Sequence, residues 1–158
     1  MKNILYTIIL SFLFSFSVFA DYQAGVNALD NGDHKTALKE FTAAAKQGHA
    51  KAQRDLAYMY DVGFGIVPNH KKAAKWYRLA AEQGDSLSQH NLGLLYTKGQ
   101  GVTENYVIAY MWFNISLKNG YDAKANMDVV KEVLTSEQLA KAQELVRECI
   151  KKNYKNCG

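Results

Sequence analysis

The sequence predicts an all-α protein, an α-solenoid of antiparallel helix pairs closed by a C-terminal capping helix. Three observations carry this. The chain resembles itself at a period of 36 residues, which marks stacked helical units that cannot bury their apolar faces alone. It has one proline, eleven glycines and much alanine, leucine and lysine, a composition that favours helix over strand. The period also returns helix-starting and helix-ending residues in a fixed order.

The first twenty residues read as a removable leader. Met1-Lys2-Asn3 is a short basic start, and Ile4 to Phe19 is an uncharged run of apolar residues and serines. Val18-Phe19-Ala20 then places small residues before Asp21, the pattern of a secretory signal peptide. The run is shorter than the roughly 20 apolar residues that a bilayer span needs, so no stable membrane insertion is expected after cleavage. The expected destination is the periplasm or the outside of the cell. No cysteine follows the cleavage position, which argues against a lipoprotein.

The repeat starts in what remains. Gly48, Gly84 and Gly120 stand 36 residues apart, as do Ala37, Ala73 and Ala109, and Asp33, Asn69 and Asn105. Phe41, Tyr77 and Phe113 follow the same step, with Trp76 and Trp112 just before the last two. Each column has a physical role. Asp and Asn side chains accept the free N–H groups of a first helical turn. The alanines let a neighbouring helix come close, and the aromatics lie one turn further on the same face. The glycines suit the left-handed position that ends a helix. The second helix of each unit is therefore predicted over Asp33–Gln47, Asn69–Gln83 and Asn105–Asn119.

First helices are predicted near Ala50–Tyr60 and Ser86–Tyr96. Leu56, Ala57 and Tyr60 match Leu92, Gly93 and Tyr96 one period on, and their spacing is a buried helical stripe. Gly63-Phe64-Gly65-Ile66 and Gly99-Gln100-Gly101-Val102 join the helices of each pair, with Ile66 and Val102 expected to plug the turn. Repeat one is shorter and turns tightly at Asp30-Asn31-Gly32. After Gly120 the period breaks: Asp122–Leu134 reads as another first helix displaced by one residue. Thr135-Ser136-Glu137-Gln138 then matches a capping box and opens a charged helix to Lys152. A solenoid needs such an end piece to cover its last apolar face.

Cys149 and Cys157 are the chain's two cysteines. In an oxidising compartment a close pair reads as one disulfide tying the tail to the last helix, with free thiols or an intermolecular bridge as the alternatives. So small a loop contributes roughly 2–3 kcal/mol at best. The net charge of +4 is too small and too evenly spread to point to nucleic acid.

The stretches LAYMYDVGFGIVPNHKKAAKWYRLAAEQGD and LGLLYTKGQGVTENYVIAYMWFNISLKNG resemble Sel-1-like repeats, a branch of the tetratricopeptide-type solenoids. The family pattern has a leucine-small-x-x-tyrosine first helix, a G-x-G-V turn and an alanine-x-x-tryptophan second helix. The second stretch carries Leu92, Gly99, Gly101, Val102, Ala109 and Trp112 but departs at Ser116 and Leu117. Repeat one is similar to an ordinary tetratricopeptide unit. The expected organisation is a signal peptide over 1–20, a tetratricopeptide-like repeat over 21–53, Sel-1-like repeats over 54–89 and 90–126, and capping helices with a tail over 127–158. The resemblance implies a right-handed superhelix that acts as an adaptor for proteins or peptides. Secreted bacterial members are associated with host contact and envelope assembly. One subgroup with a cysteine pair in each repeat binds or hydrolyses β-lactams, but the repeats here contain no cysteine.

Catalytic signatures are weak by comparison. Gly63-x-Gly65 and Gly99-x-Gly101 lack the strand and third glycine of a dinucleotide fingerprint. His34, His49, His70 and His90 form no ligand pair of metal-binding spacing and read as surface histidines. No G-x-S-x-G elbow or Ser-x-x-Lys occurs. Trp76 and Trp112 recur with the repeat and so read as core. No cofactor is expected.

By resemblance to tetratricopeptide solenoids, the first helices line the concave groove. This places Tyr22, Arg54 and His90 in one row and Val26, Tyr58 and Leu94 in the next, a mixture suited to a binding hot spot. The expected function is a non-catalytic periplasmic or secreted adaptor that holds a protein or peptide in that groove. The alternative is an envelope enzyme, or a protein binding β-lactams or peptidoglycan fragments, as the cysteine-rich subgroup suggests.

Overall fold

The computed structural model describes residues 21–158; the expected leader over 1–20 lies outside the described residues. The described residues form eight helices and no strand. Helix α1 covers 21–30. It is followed by α2 His34–Lys46, α3 Ala50–Val62, α4 His70–Ala81, α5 Ser86–Lys98, α6 Tyr106–Lys118, α7 Lys124–Val133 and α8 Ser136–Lys151. Each helix from α3 to α6 packs on the one before and the one after it, and α1 packs on α2 where Gly25 meets Phe41, so the first helices (α1, α3, α5, α7) form one layer and the second helices (α2, α4, α6) the other.

The second helices start as their sequences require. Asp33, Asn69 and Asn105 accept the backbone N–H groups of Thr36, Lys72 and Ile108 at 3.0, 2.9 and 3.1 Å. The first helices run slightly further than their apolar stripes predicted, to Val62 and Lys98. They stop only where Gly63 and Gly99 turn left-handed, at φ 79° and 64°. Glycine is the residue that takes this conformation without a Cβ clash.

The repeated alanines and aromatics are the core. Ala37, Ala73, Ala109, Phe41, Tyr77 and Phe113 are all fully buried. Opposite two of the aromatics the first helix carries glycine for want of room. A Cβ built on Gly25 would lie 2.6 Å from the Phe41 ring, and one on Gly93 would lie 2.6 Å from Phe113. One core cluster fills the space among α1, α2 and α3 and a second runs from α3 to the tail; Tyr60 and Trp76 touch both. Trp112 is fully buried and Trp76 half-buried, in keeping with their reading as core. Val102 packs against the core as a plug, whereas Ile66 is only partly buried and joins neither cluster.

A row of side-chain amides, unread in the sequence, crosses the interior. Gln53 and Gln89, both buried, donate to the Ala45 and Ala81 carbonyls at 3.1 and 3.0 Å. Their side-chain oxygens accept from Gln83 and Asn119 at 2.7 and 3.0 Å. At the matching place in repeat one, Gln47 donates to Asp21 at 2.8 Å. Each buried amide thereby satisfies both its ends, as burial demands.

The end piece departs from the repeat. Thr135 and Gln138 form the expected capping box. Helix α8, however, packs mainly on α6 rather than forming a hairpin with α7. Cys149 and Cys157 form a disulfide, and the tail returns along α6 to reach α4. Tyr154 donates to Asn119 at 3.0 Å, the Asn156 N–H to Glu82 at 3.2 Å, and Arg78 to the Cys157 and Gly158 carbonyls at 2.8 and 3.1 Å. Beneath it lies Met111, buried where the preceding repeats carry the exposed Lys39 and Lys75.

Candidate functional site

The first-helix layer holds all six residues of the two predicted rows, and the structure treats them differently. Tyr58, on the outward side of α3, is 52% exposed. Opposite it on the helix, Leu56 and Met59 point into the core. Leu94, one period further on, is half-buried at the margin of the core. Val26 is likewise half-buried against the first core cluster.

Tyr22 and Arg54 are brought together through a residue that the sequence reading passed over, Asp55. The Tyr22 hydroxyl donates to Asp55 Oδ2 at 3.1 Å. Arg54 donates to Asp55 Oδ1 through Nε at 2.9 Å and to Asp85 Oδ2 through Nη1 at 3.1 Å. This chain links α1, α3 and the start of α5. Burial, and next the Asp55 charge, push the Tyr22 hydroxyl pKa up. Burial works against the Arg54 charge, but the Asp55 and Asp85 carboxylates outweigh it and hold the guanidinium pKa up. Arg54 thus serves first as a clamp between repeats.

The histidines differ from the surface groups expected of them: none is fully exposed. His90 is 9% exposed, between Phe113 and Tyr121, with ring nitrogens 3.3 Å from Asn91 Oδ1 and 3.2 Å from Asn126 Oδ1. Its ring fills the joint between α5 and α7. His70 Nδ1 lies 2.9 Å from Asp61 Oδ1, joining α3 to α4. His34 stands edge-on to Phe64, with ring centroids 4.4 Å apart. His49 caps α3, its Nδ1 accepting the Ala52 N–H at 3.1 Å. One signal was available for His49: it stands one period before Asp85, which caps α5.

The two layers present different surfaces. Tyr58 and Val62 of α3 are 52% and 47% exposed, and Val129 and Val133 of α7 are 64% and 60% exposed. On the second helices the repeated outward positions are Lys35, Lys39, Lys71 and Lys75, all exposed. The strongly exposed apolar helix positions thus lie on first helices, and the repeated cations on second helices. Among the described residues, no group of three or more His, Cys, Asp or Glu side chains is placed to hold a metal ion, and no helix is long and apolar enough to cross a membrane.

A family model described as Sel1 repeat matches residues 50–85 and 86–121. Among solved structures, the chain is similar to a protective antigen, present in uropathogenic Escherichia coli strains, that displays an SLR fold. The identity is 31% and the TM-score 0.81, over 87% of this chain and 31% of that one. It is also similar to a Sel1 repeat protein from Oxalobacter formigenes, at 28% identity and a TM-score of 0.66, over 81% of this chain and 98% of that one. The chain therefore spans about a third of the first of these proteins and nearly all of the second. No curated protein sequence matches it.

Proposed function

Because the chain is a Sel1 repeat protein, we propose that it is a non-catalytic adaptor that binds a protein or peptide partner along its first-helix layer. The observation that supports this reading is the exposure of Tyr58, Val62, Val129 and Val133 on that layer. A large aromatic left half in water on a rigid, repeat-built face is a common anchor for a partner. Tyr58 is the central contact, with Leu94 and Val26 beside it. Tyr22, Arg54 and His90 shape the face from below, since each is already committed to a contact within the fold.

We place the adaptor in an oxidising compartment, periplasmic or secreted. The Cys149–Cys157 disulfide supports this, because such bonds persist outside the reducing cytosol. So does the leader-like sequence over 1–20.

Site-specific photo-crosslinking in the native cell tests the proposal. A photoreactive residue replaces Tyr58 in one chain and the second-helix residue Lys75 in another. A discrete protein adduct from Tyr58 alone is the expected result. Adducts of equal yield from both positions, or from Lys75 alone, would overturn the assignment of the face.

A further inference from the structure

His49 stands where the next repeat carries Asp85, and both residues cap a first helix. Asp85 accepts the Ser88 N–H at 2.8 Å through its carboxylate, and His49 accepts the Ala52 N–H at 3.1 Å through Nδ1. The two caps answer acid differently. A carboxylate stays an acceptor down to about pH 4, and its charge suits the partial positive charge of a helix N-terminus. An imidazole accepts only while neutral. Once protonated, it turns an N–H toward an N–H and sets a cation at the unfavourable end of the helix.

The same ring forms the joint between α1 and α3. It lies against the Tyr22 ring with centroids 4.5 Å apart and planes 26° apart, and Tyr22 in turn donates to Asp55. The charged and titratable groups around it come from three helices. On α1 these are Tyr22 and Asp21, the latter held by Gln47. Lys46 closes the last turn of α2, and α3 supplies Lys51, Arg54 and Asp55. Asp55 and the face of Tyr22 favour an imidazolium. Burial, Lys51, Arg54 and the helix end oppose it, and the net direction of the His49 pKa is downward, burial being the largest cause.

We propose that His49 is a proton-sensitive joint: on acidification its ring gives up the cap on α3, and the cation leaves its partly buried place against Tyr22 for water, which outweighs the attraction of the Tyr22 face and loosens α1 from α3. A group whose folded pKa is depressed is held neutral by the fold. The joint is therefore intact above the ordinary imidazole value of about 6.5 and weakens as pH falls below it. Loosening α1 withdraws Tyr22 and Val26 from the binding face, so acid regulates that face; this last step rests on the adaptor reading above.

The experiment is amide hydrogen exchange on the full chain without partner, at about pH 7.5 and about pH 5, corrected for intrinsic exchange. The wild type is compared with His49→Asp, which installs the cap of the next repeat. In the wild type, protection over 21–30 and the first turn of α3 should fall about tenfold in acid while α5 and α6 hold. His49→Asp, which keeps a cap but has no ring against Tyr22, should show the same protection at both pH values, without the fall in acid. Unchanged wild-type protection, an equal loss in His49→Asp, or a loss that spreads through α5 and α6 would each overturn the proposal. Since no partner is present, failure here leaves the adaptor reading standing, and failure of the Tyr58 crosslink leaves the joint itself untouched.

Discussion

The Gln83 side-chain amide donates a 2.7 Å hydrogen bond to Gln53 Oε1, and one period later Asn119 makes the same bond to Gln89 at 3.0 Å. Gln53 and Gln89 meanwhile reach back to a carbonyl at the end of the preceding second helix. Each glutamine therefore pins three consecutive helices. Replacing Gln89 with leucine should leave the partly buried Asn119 amide without its partner and take one of two hydrogen bonds from the Ala81 carbonyl, which keeps that of the Gly84 N–H at 3.0 Å. The expected cost is about 1–3 kcal/mol, read as a lower midpoint in urea unfolding. An unchanged midpoint would show that the ladder is incidental.

Gly93 lies under Phe113 with no room for a methyl group. Gly93→Ala forces the aromatic or the helix to move, and should destabilise by about 1–3 kcal/mol. Helix propensity alone predicts the reverse sign, because alanine favours helix over glycine by about 1 kcal/mol. Thermal unfolding of the single variant decides which effect wins. A raised melting temperature would mean that the close approach relaxes at little cost.

Stability and binding should separate between Arg54 and Tyr58. Arg54→Glu places a third carboxylate beside Asp55 and Asp85, both 3.1 Å or less from the guanidinium it removes. A loss of about 1–3 kcal/mol is expected, mostly from the unpaired, partly buried charges. Tyr58→Ala removes an exposed ring and should leave the melting temperature within the scatter of ordinary surface substitutions, about 0.5 kcal/mol. Partner capture should nonetheless fall with Tyr58→Ala. If Arg54→Glu unfolds no earlier than the wild type, the clamp between repeats is not a stabilising contact.

Cys157→Ser opens the loop that holds the tail on α6 and α4. The loss should be roughly 2–3 kcal/mol, with the tail hydrogen bonds to Arg78, Glu82 and Asn119 lost first. Hydrogen exchange should rise over 152–158 and over α6 near Met111, while α2 and α3 stay protected. Equal deprotection across the chain would instead make the disulfide a global staple.

Much of this architecture was legible in the sequence because a repeat writes the same local physics several times. Asp33, Asn69 and Asn105 cap helices wherever they occur, since a cap needs only a side-chain oxygen and the next turn of backbone. The buried alanine and aromatic columns follow from i, i+4 geometry within one helix. The pairing of Cys149 with Cys157 needed only their proximity and the count of two. These features depend on neighbours in the chain or on the same position in the next copy, so a period exposes them.

The exposure of each first-helix residue depended on something else. Tyr58, Leu94 and Val26 occupy one column, and so do Tyr22, Arg54 and His90, yet Tyr58 is exposed, His90 is buried and Arg54 is ion-paired. What sets them apart is a contact to a different column on another helix: Asp55 for Tyr22, Asp85 for Arg54, Asn126 for His90. The packing of α8 on α6, and the cover this lays over Met111, is of the same kind. Such contacts join residues of unlike type at no fixed spacing. The sequence by itself determined the repeat, its helices and its caps, whereas the choice of which side chains face water was made only when the helices stacked.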